Sequence, residues 1–284
     1  HMAIMSPGEF CYFDSYQDAP DSQPEAIGGY LPLSKVYSFN PVPDTLSADK
    51  VQLVYGVQAN LFTEYIPTPE HAEMMIYPRI LALAEVAWSA PSVKNYDDFH
   101  VRALKEVEAL KAEGYHPFEL KNEIGNRPGA DQPVQHLAVG KKVAYGPDAA
   151  YYPGYSAGGD SALVDGVIGG WTYGDRRWQG FIDKKRMDVT IDMEKETEIH
   201  SVGADFMQVC GPEVFMPSEV IISVSNDGKE FTELKRMEHK VVKDDKVTFI
   251  NFGWEGNAKA RYIRYQASSG EFGGFLFTDE IVVK

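Results

Sequence analysis

The spacing of apolar residues divides the chain into a helical part and a strand-rich part. Up to about residue 125, apolar positions recur at helical intervals. We predict one helix starting at Thr68–Glu70, where a hydroxyl cap precedes a proline in the first turn. A second helix should run from Arg79 to Trp88, because Pro78 breaks the pattern before it. A third should run from Tyr96 to Glu113 and end at Gly114.

Beyond residue 133 the apolar positions alternate with polar ones. Such runs occur at residues 188–192, 219–225 and 261–265, with turn-forming residues between them. This pattern predicts an antiparallel β-sandwich. Residues 123–134 are turn formers with little apolar content, which indicates a linker between domains at 1–122 and 135–284.

Composition and charge restrict the partners. The 284 residues are 44% hydrophobic, which is typical of globular domains, and the net charge is −15. Nucleic acids and anionic membranes are repelled by such a surface, so we expect neither as a partner. Two cysteines, Cys11 and Cys210, lie in different predicted domains, and we interpret both as buried thiols.

Two short pairs of an aromatic residue and an acid suggest sugar binding in the first part. Tyr12 and Asp14 follow one apolar stretch, and Phe62 and Glu64 follow another at 51–55. In extended chain, residues two apart face the same side. An aromatic ring can stack on a sugar, and a carboxylate can accept hydrogen bonds from its hydroxyls. Taken alone, such pairs are more often exposed acids beside core aromatics.

The segment around these pairs resembles the end of a known catalytic barrel. Residues 3–90 are similar to the last part of the catalytic domain of glycoside hydrolase family 20, the chitobiase-like β-N-acetylhexosaminidases. The resemblance lies in Tyr12–Asp14 with Gln17, in Gly29–Leu33, Val36–Pro41 and Gly56–Glu64, and in Tyr77–Ser89. It implies an α/β fold, namely the last two βα units of a (β/α)8 barrel.

The resemblance also implies roles for the four residues. Tyr12 would hold the acetamido carbonyl of the substrate, Asp14 and Glu64 would bind hydroxyls of the terminal sugar, and Phe62 stands where the family usually has a tryptophan. The implied mechanism is retaining and substrate-assisted, without a catalytic cofactor. The implied location is secreted or periplasmic.

The catalytic acid that this mechanism needs is absent from the chain. The family carries an Asp-Glu pair after two glycines, whereas Gly158–Asp160 continues with Ser161 and Asp279–Glu280 lacks the glycines. Loss of a general acid slows such reactions by about 10²–10⁴-fold. We therefore expect no hexosaminidase activity from this chain alone. We also expect self-association, packing on the second domain or pairing with the missing N-terminal part of the barrel, because two barrel strands alone expose unpaired edges.

The second part resembles a different family. Residues 136–284 are similar to the F5/8 type C (discoidin-like) domain, a galactose-binding-like jelly roll that also occurs as family 32 carbohydrate-binding modules. The carrying segments are 136–141, 162–166, 178–181, 189–193, 217–231, 261–264 and 279–283. The resemblance implies an all-β sandwich. It also implies a structural calcium ion at Asp165 and Glu280, for which solvated acids are the alternative interpretation.

Candidate sugar contacts in the sandwich are aromatic residues in predicted loops. They are Trp171, Tyr173, Phe215 and Phe272, while Trp178 and Phe231 are interpreted as core. Three functions stay open. The chain is the C-terminal portion of a β-N-acetylhexosaminidase that acts on N-acetylhexosamine-containing glycans and carries an appended carbohydrate-binding domain, or a glycan-adhesion protein without catalysis, or a barrel with a sandwich that serves only as a structural spacer.

Overall fold

The computed structural model describes residues 1–147, 149, 151–182, 187–244 and 246–284. The chain forms two compact units, His1–Gly125 and Asn126–Lys284. The division falls within 123–134, whose role as a linker stays a prediction. None of the described helices combines the length and the apolar character that crossing a membrane requires.

The first unit contains two short parallel strands with helices after each. Strands β1 (Ala3–Met5) and β2 (Val54–Val57) pair in parallel. Helices α1 (Gly8–Cys11) and α2 (Leu33–Ser38) follow β1, and helices α3 (Pro69–Ile76), α4 (Arg79–Trp88) and α5 (Tyr96–Ala112) follow β2. The predicted pair of βα units from a barrel is confirmed.

The helix boundaries agree with the predicted capping signals. The Thr68 hydroxyl accepts a hydrogen bond from the His71 amide at 3.2 Å at the start of α3. Helix α4 begins directly after Pro78. Gly114, two residues after the end of α5, has a φ of +93°, a conformation that favours glycine.

A compact apolar core holds the helices of the first unit against its strands. It includes Phe13, Val36, Leu83 and Phe99, all buried. The Tyr37 ring stacks on Phe99 at 4.6 Å between ring centroids. This core gives the two strands a firm support.

The second unit is the predicted antiparallel sandwich. Its strands are β3 (Lys142–Tyr145), β4 (Gln179–Ile182), β5 (Met187–Gln208), β6 (Glu219–Ser225), β7 (Thr232–Glu238), β8 (Thr248–Ser268) and β9 (Phe275–Val283). The long strands β5 and β8 pair along most of their length, with irregularities near Asp192–Thr197 and Ile199–Ser201.

These irregularities separate two groups of strand pairings. The first part of β5 pairs with β3 and with the last part of β8. The last part of β8 also pairs with β6, and β6 pairs with β7. The last part of β5 pairs with β9, which pairs with β4. Apolar residues from both groups form one core, including Val189, Ile191, Val202, Phe206 and Ile281. The all-β fold class is confirmed.

Four residues predicted to be buried differ in their exposure. Trp178 is fully buried, as predicted. Phe231 is only half-buried, with the Arg264 guanidinium 5.4 Å from its ring centroid, so its assignment to the core is wrong. Cys11 is a buried free thiol, whereas Cys210 is half-buried.

Candidate functional site

The two predicted sugar-binding segments lie side by side in the first unit. Tyr12 forms a parallel bridge with Asn60. The Asn60 amide donates to the Cys11 carbonyl, and the Phe13 amide donates to the Asn60 carbonyl, both at 2.8 Å. This contact brings the Tyr12 ring to 5.7 Å from the Phe62 ring, with 43° between the ring planes. Phe62 is 50% exposed, so part of this aromatic surface is open.

The carboxyl group of Asp14 is buried beside this aromatic pair. The residue is 7% exposed, and its Oδ1 atom has no hydrogen-bond partner among the described residues. Burial raises the pKa of Asp14; the nearby Arg79 guanidinium opposes this, and the Glu64 carboxylate adds to it. A buried acceptor without a partner is unfavourable, and a sugar hydroxyl would satisfy it.

Asp14 and Glu64 are close enough to interact electrostatically, although they differ in exposure. Glu64 is exposed, in a turn after β2, and Asp14 lies in the turn that follows Tyr12. The structure therefore brings together all four residues singled out in the first unit.

The local backbone differs from the extended chain expected before each pair. One turn of helix, α1, separates β1 from Tyr12. Residues Val51–Leu53 form a 3-10 turn, and only Val54 and Tyr55 of the expected apolar strand belong to β2. Tertiary contacts rather than strand alternation therefore place these side chains.

Arg79, which sequence reasoning did not assign to the site, braces the turn that carries Asp14. Its fully buried guanidinium donates to the carbonyls of Ser15 at 2.9 Å and Leu31 at 3.1 Å, and also to those of Phe13 and Met75. Burial lowers the pKa of Arg79 to about 9, while Asp14 opposes that change. An arginine within the apolar run of α4 was the available sequence signal.

In the second unit, Asp165 and Glu280 form the candidate cation site. Glu280 is buried; its Oε1 atom accepts from the Gly166 amide at 2.9 Å and lies 2.7 Å from His136 Nε2. Its Oε2 atom is buried without a hydrogen-bond partner in the described structure. Burial raises the pKa of both carboxyl groups, which also interact with each other.

The donor set at this place is compatible with calcium. Among the described residues no group of three His, Cys, Asp or Glu side chains could hold a metal ion. Two carboxylates would therefore need backbone carbonyl groups or water to complete the six to eight oxygens that calcium takes. The unpartnered, buried Glu280 Oε2 is the observation that fits such an ion.

The four loop aromatics of the sandwich have different surroundings. Trp171 is half-buried with its ring 5.7 Å from Phe249, and Tyr173 stacks on Phe277 at 4.9 Å. Phe215 is buried and Phe272 is 37% exposed.

A lysine side chain, that of Lys243, lies over the rings of Phe215 and Phe272. The Phe215 and Phe272 rings are 5.5 Å apart, and the Lys243 ammonium lies 4.9 and 4.2 Å from their centroids. The cation therefore covers one face of each of these two rings, although Phe272 stays 37% exposed.

Comparison with known proteins identifies a different family for each unit. Residues 1–91 match the model of the glycosyl hydrolase family 20 catalytic domain, and residues 148–281 match the model of the F5/8 type C domain. The chain is 48% identical over 100 residues to a β-hexosaminidase of Porphyromonas gingivalis, covering 35% of this chain and 13% of that protein. It is 33% identical over 104 residues to a β-N-acetylhexosaminidase of Cellulomonas fimi, covering 37% and 21%.

One solved structure of a family 20 enzyme is also similar to part of the chain. The family 20 β-N-acetylhexosaminidase from Streptomyces coelicolor A3(2) is 27% identical, with a TM-score of 0.37, and the match covers 41% of this chain and 24% of that one. The chain thus spans about an eighth to a quarter of the length of these relatives.

Proposed function

We propose that this chain, in which part of a glycosyl hydrolase family 20 catalytic domain precedes an F5/8 type C domain, supplies the terminal-sugar recognition of a β-N-acetylhexosaminidase. Its substrate is a glycan that ends in an N-acetylhexosamine. The observation that carries the proposal is the buried Asp14 Oδ1 atom, which lacks a partner among the described residues beside the open Tyr12–Phe62 surface.

Each side chain has a part in holding the sugar. The Tyr12 hydroxyl donates to the acetamido carbonyl, and the half-exposed Phe62 ring stacks on the C–H face of the sugar. Asp14 and Glu64 accept hydrogen bonds from the outer hydroxyls. Because Asp14 is buried, its bond to a hydroxyl is stronger than the same bond in water.

Protonation of the leaving oxygen is not a task that this chain performs. Asp160 accepts a hydrogen bond from the Tyr151 hydroxyl at 2.8 Å within the second unit. Asp279 is buried against Arg127 at 2.7 Å, and Glu280 is buried against His136. Both candidate acid positions are thus occupied by contacts inside the sandwich, and the acid must come from other residues of a complete barrel.

Two measurements on the purified chain test this proposal. In ligand-observed NMR, N-acetylglucosamine should receive saturation from the chain, and Asp14→Asn should weaken that transfer while Asp49→Asn, an exposed acid, should not. The same chain should release no 4-nitrophenol from 4-nitrophenyl N-acetyl-β-D-glucosaminide above the buffer rate. Sugar binding unaffected by Asp14→Asn would contradict the recognition role of Asp14. Turnover that scales with chain concentration would contradict the proposal that this chain supplies no catalytic acid.

We also propose a structural calcium ion held by Asp165 and Glu280. It is supported by the buried Glu280 Oε2 atom without a described partner and by the two adjoining carboxyl groups whose pKa values burial raises. A divalent cation would offset the negative charge of the buried Glu280 carboxylate and of Asp165, which interacts with it. The ion is structural and takes no part in the sugar chemistry.

A further inference from the structure

A cavity among the loops of the sandwich has no role in the function proposed so far. It measures about 270 Å³ and lies between the loops 154–158 and 173–176. Its lining includes Tyr155, Tyr173 and Trp178 among small loop residues, together with Arg176. Such a size suits a single sugar ring rather than an extended oligosaccharide.

The aromatic walls are fixed by packing. Tyr155 meets Tyr173 edge-on at 5.8 Å, and both rings lie 4.9 Å from Phe277. The Trp178 indole donates from Nε1 to the Gly170 carbonyl at 3.1 Å. Neither the Tyr155 nor the Tyr173 hydroxyl has a hydrogen-bond partner in the described structure, so both are free to meet a ligand.

A buried glutamine holds one of the cavity loops in place. Gln179 is fully buried, and its Nε2 atom donates to the carbonyls of Ser156 at 3.1 Å and Gly159 at 3.0 Å. Its Oε1 atom accepts from the Tyr145 hydroxyl at 2.8 Å. The loop is therefore held before any ligand arrives, which lowers the entropy that binding must overcome.

Arg176 is the unpaired cation of this cavity. Its side chain is exposed and has no described hydrogen-bond or ion-pair partner. The neighbouring Arg177 differs, since its guanidinium donates to the Ala130 carbonyl at 2.5 Å. The Asp175 carboxylate accepts from the amides of Gly170 at 2.6 Å and Arg177 at 2.8 Å, so backbone groups rather than Arg176 satisfy it.

We propose that this cavity binds one sugar residue that carries a carboxylate or sulfate group. The tyrosine rings and hydroxyls contact the ring of the sugar, and the Arg176 guanidinium pairs with its anionic group through two parallel hydrogen bonds. Because the chain carries a net charge of −15, attraction at long range does not favour an anion. Selectivity for the charged sugar therefore comes from the direct contact with Arg176. The proposal rests on a glycan-binding role of the sandwich and is independent of the hexosaminidase assignment.

The test uses the whole chain with two pairs of probes that differ in charge. Glucuronic acid is compared with glucose, and N-acetylglucosamine 6-sulfate with N-acetylglucosamine, by two-dimensional NMR titration in calcium-containing buffer. We expect the charged member of each pair to bind about tenfold more tightly or better, because a charge-assisted hydrogen bond contributes roughly 1.5–3 kcal/mol. A response to the sulfate alone or the uronate alone identifies which anion the cavity takes.

Three variants locate the contact. Arg176→Gln should remove the preference for the charged sugars, and Tyr155→Phe should weaken binding of all sugars without changing that preference. Arg236→Gln is the matched control, because Arg236 is also exposed but is paired with Glu219 and Glu233 on strand β7. Circular dichroism confirms that each variant is folded.

The outcomes separate this proposal from the one it rests on. Equal binding of charged and neutral sugars, unchanged in Arg176→Gln, overturns the anionic specificity and leaves glycan binding standing. Binding that no cavity variant alters overturns the site. If none of the four probes shifts resonances of the second unit, both the cavity proposal and the glycan-binding role of the sandwich are overturned, while shifts confined to the first unit still support the sugar recognition proposed there.

Discussion

In the first unit, individual side chains hold the turn that follows Tyr12 and contains Asp14. Tyr12 and Phe62 form its open aromatic surface, and Asp14 provides the buried acceptor. Arg79 binds the carbonyl groups around that acceptor and is itself fully buried. The position of Asp14 thus depends on a side chain that does not need to touch the sugar.

Loss of the Arg79 guanidinium should destabilise the first unit strongly. Arg79→Met leaves at least the carbonyls of Ser15 and Leu31 without their buried donor, so we expect a loss of about 3 kcal/mol in the free energy of unfolding. Urea denaturation measures it. Arg102→Met is the control, since Arg102 is half exposed in its pairs with Glu85 and Asp98 and should change stability by less than about 1 kcal/mol. Equal effects of the two variants would contradict the bracing role.

Glu123 should make the stability of the first unit depend on pH. Burial, with a contribution from Asp18, raises the pKa of Glu123 from 4.5 to about 7. His100 lies 3.8 Å away and Tyr96 interacts with the same carboxyl group. The folded unit therefore holds a proton that the unfolded chain releases, so its stability falls as the pH rises from about 4.5 through about 7.

The variant Glu123→Gln tests this dependence. It should flatten the decline in urea midpoint between pH 5 and pH 8 and raise stability at pH 8 by roughly 1–3 kcal/mol. Glu106→Gln, an exposed glutamate on α5, should leave the decline unchanged. A wild-type midpoint that rises with pH over this range would show that the assigned direction is wrong.

The limits of sequence reasoning are visible in these residues. Tyr12, Asp14, Phe62 and Glu64 could be found because aromatic and acidic residues recur at short spacing and match a known family. Arg79 could not be assigned from spacing, because an arginine in a helix normally faces solvent. Only the carbonyl groups of three separate segments, brought together by the fold, explain its burial.

At the scale of elements, local signals predicted helices better than strand ends. The start of α3 at Thr68 and the break at Pro78 depend on nearby backbone chemistry, and both are found. The expected strand at 51–55 is instead a 3-10 turn followed by β2. A short strand forms only where a neighbouring strand supplies hydrogen bonds. The sequence of the short strand does not show where the neighbouring strand ends.

The packing of a loop against Trp178 should be sensitive to one added methyl group. A Cβ atom at Gly169 would overlap the fully buried Trp178 indole, whereas one at Gly174 meets nothing within 4 Å. We expect Gly169→Ala to destabilise the sandwich by about 1–3 kcal/mol and Gly174→Ala to have little effect. Thermal unfolding followed by tryptophan fluorescence compares the two. Equal melting temperatures would contradict the tight packing at this loop.

At the scale of the whole molecule, the chain joins two units that match different families. The first matches part of a catalytic domain and the second matches an F5/8 type C domain. The net charge of −15 suits partners that are held by direct contacts rather than by long-range attraction. We therefore expect each unit to recognise sugars through direct contacts.

Calcium should stabilise the sandwich and leave the first unit unaffected. Binding at Asp165 and Glu280 should raise the melting temperature of the sandwich by roughly 2–8 °C at millimolar calcium. Asp165→Asn should remove this shift, whereas Glu230→Gln, an exposed acid, should preserve it. An identical melting curve with calcium and with a chelator would exclude a structural ion.

Transfer of residues 1–91 into a complete barrel tests whether this chain carries terminal-sugar recognition. The aligned segment of the Porphyromonas gingivalis β-hexosaminidase, which is 48% identical over 100 residues, is replaced by residues 1–91 of this chain. The quantity measured is kcat/KM for 4-nitrophenyl N-acetyl-β-D-glucosaminide.

We predict an active chimera in which Asp14→Asn and Glu64→Gln each lower kcat/KM by about tenfold or more, because each removes a charged hydrogen bond to the sugar. Asp49→Asn should leave it unchanged. A folded chimera without activity, or one whose activity is unaffected by Asp14→Asn and Glu64→Gln, would contradict the claim that this chain carries the terminal-sugar recognition of a β-N-acetylhexosaminidase.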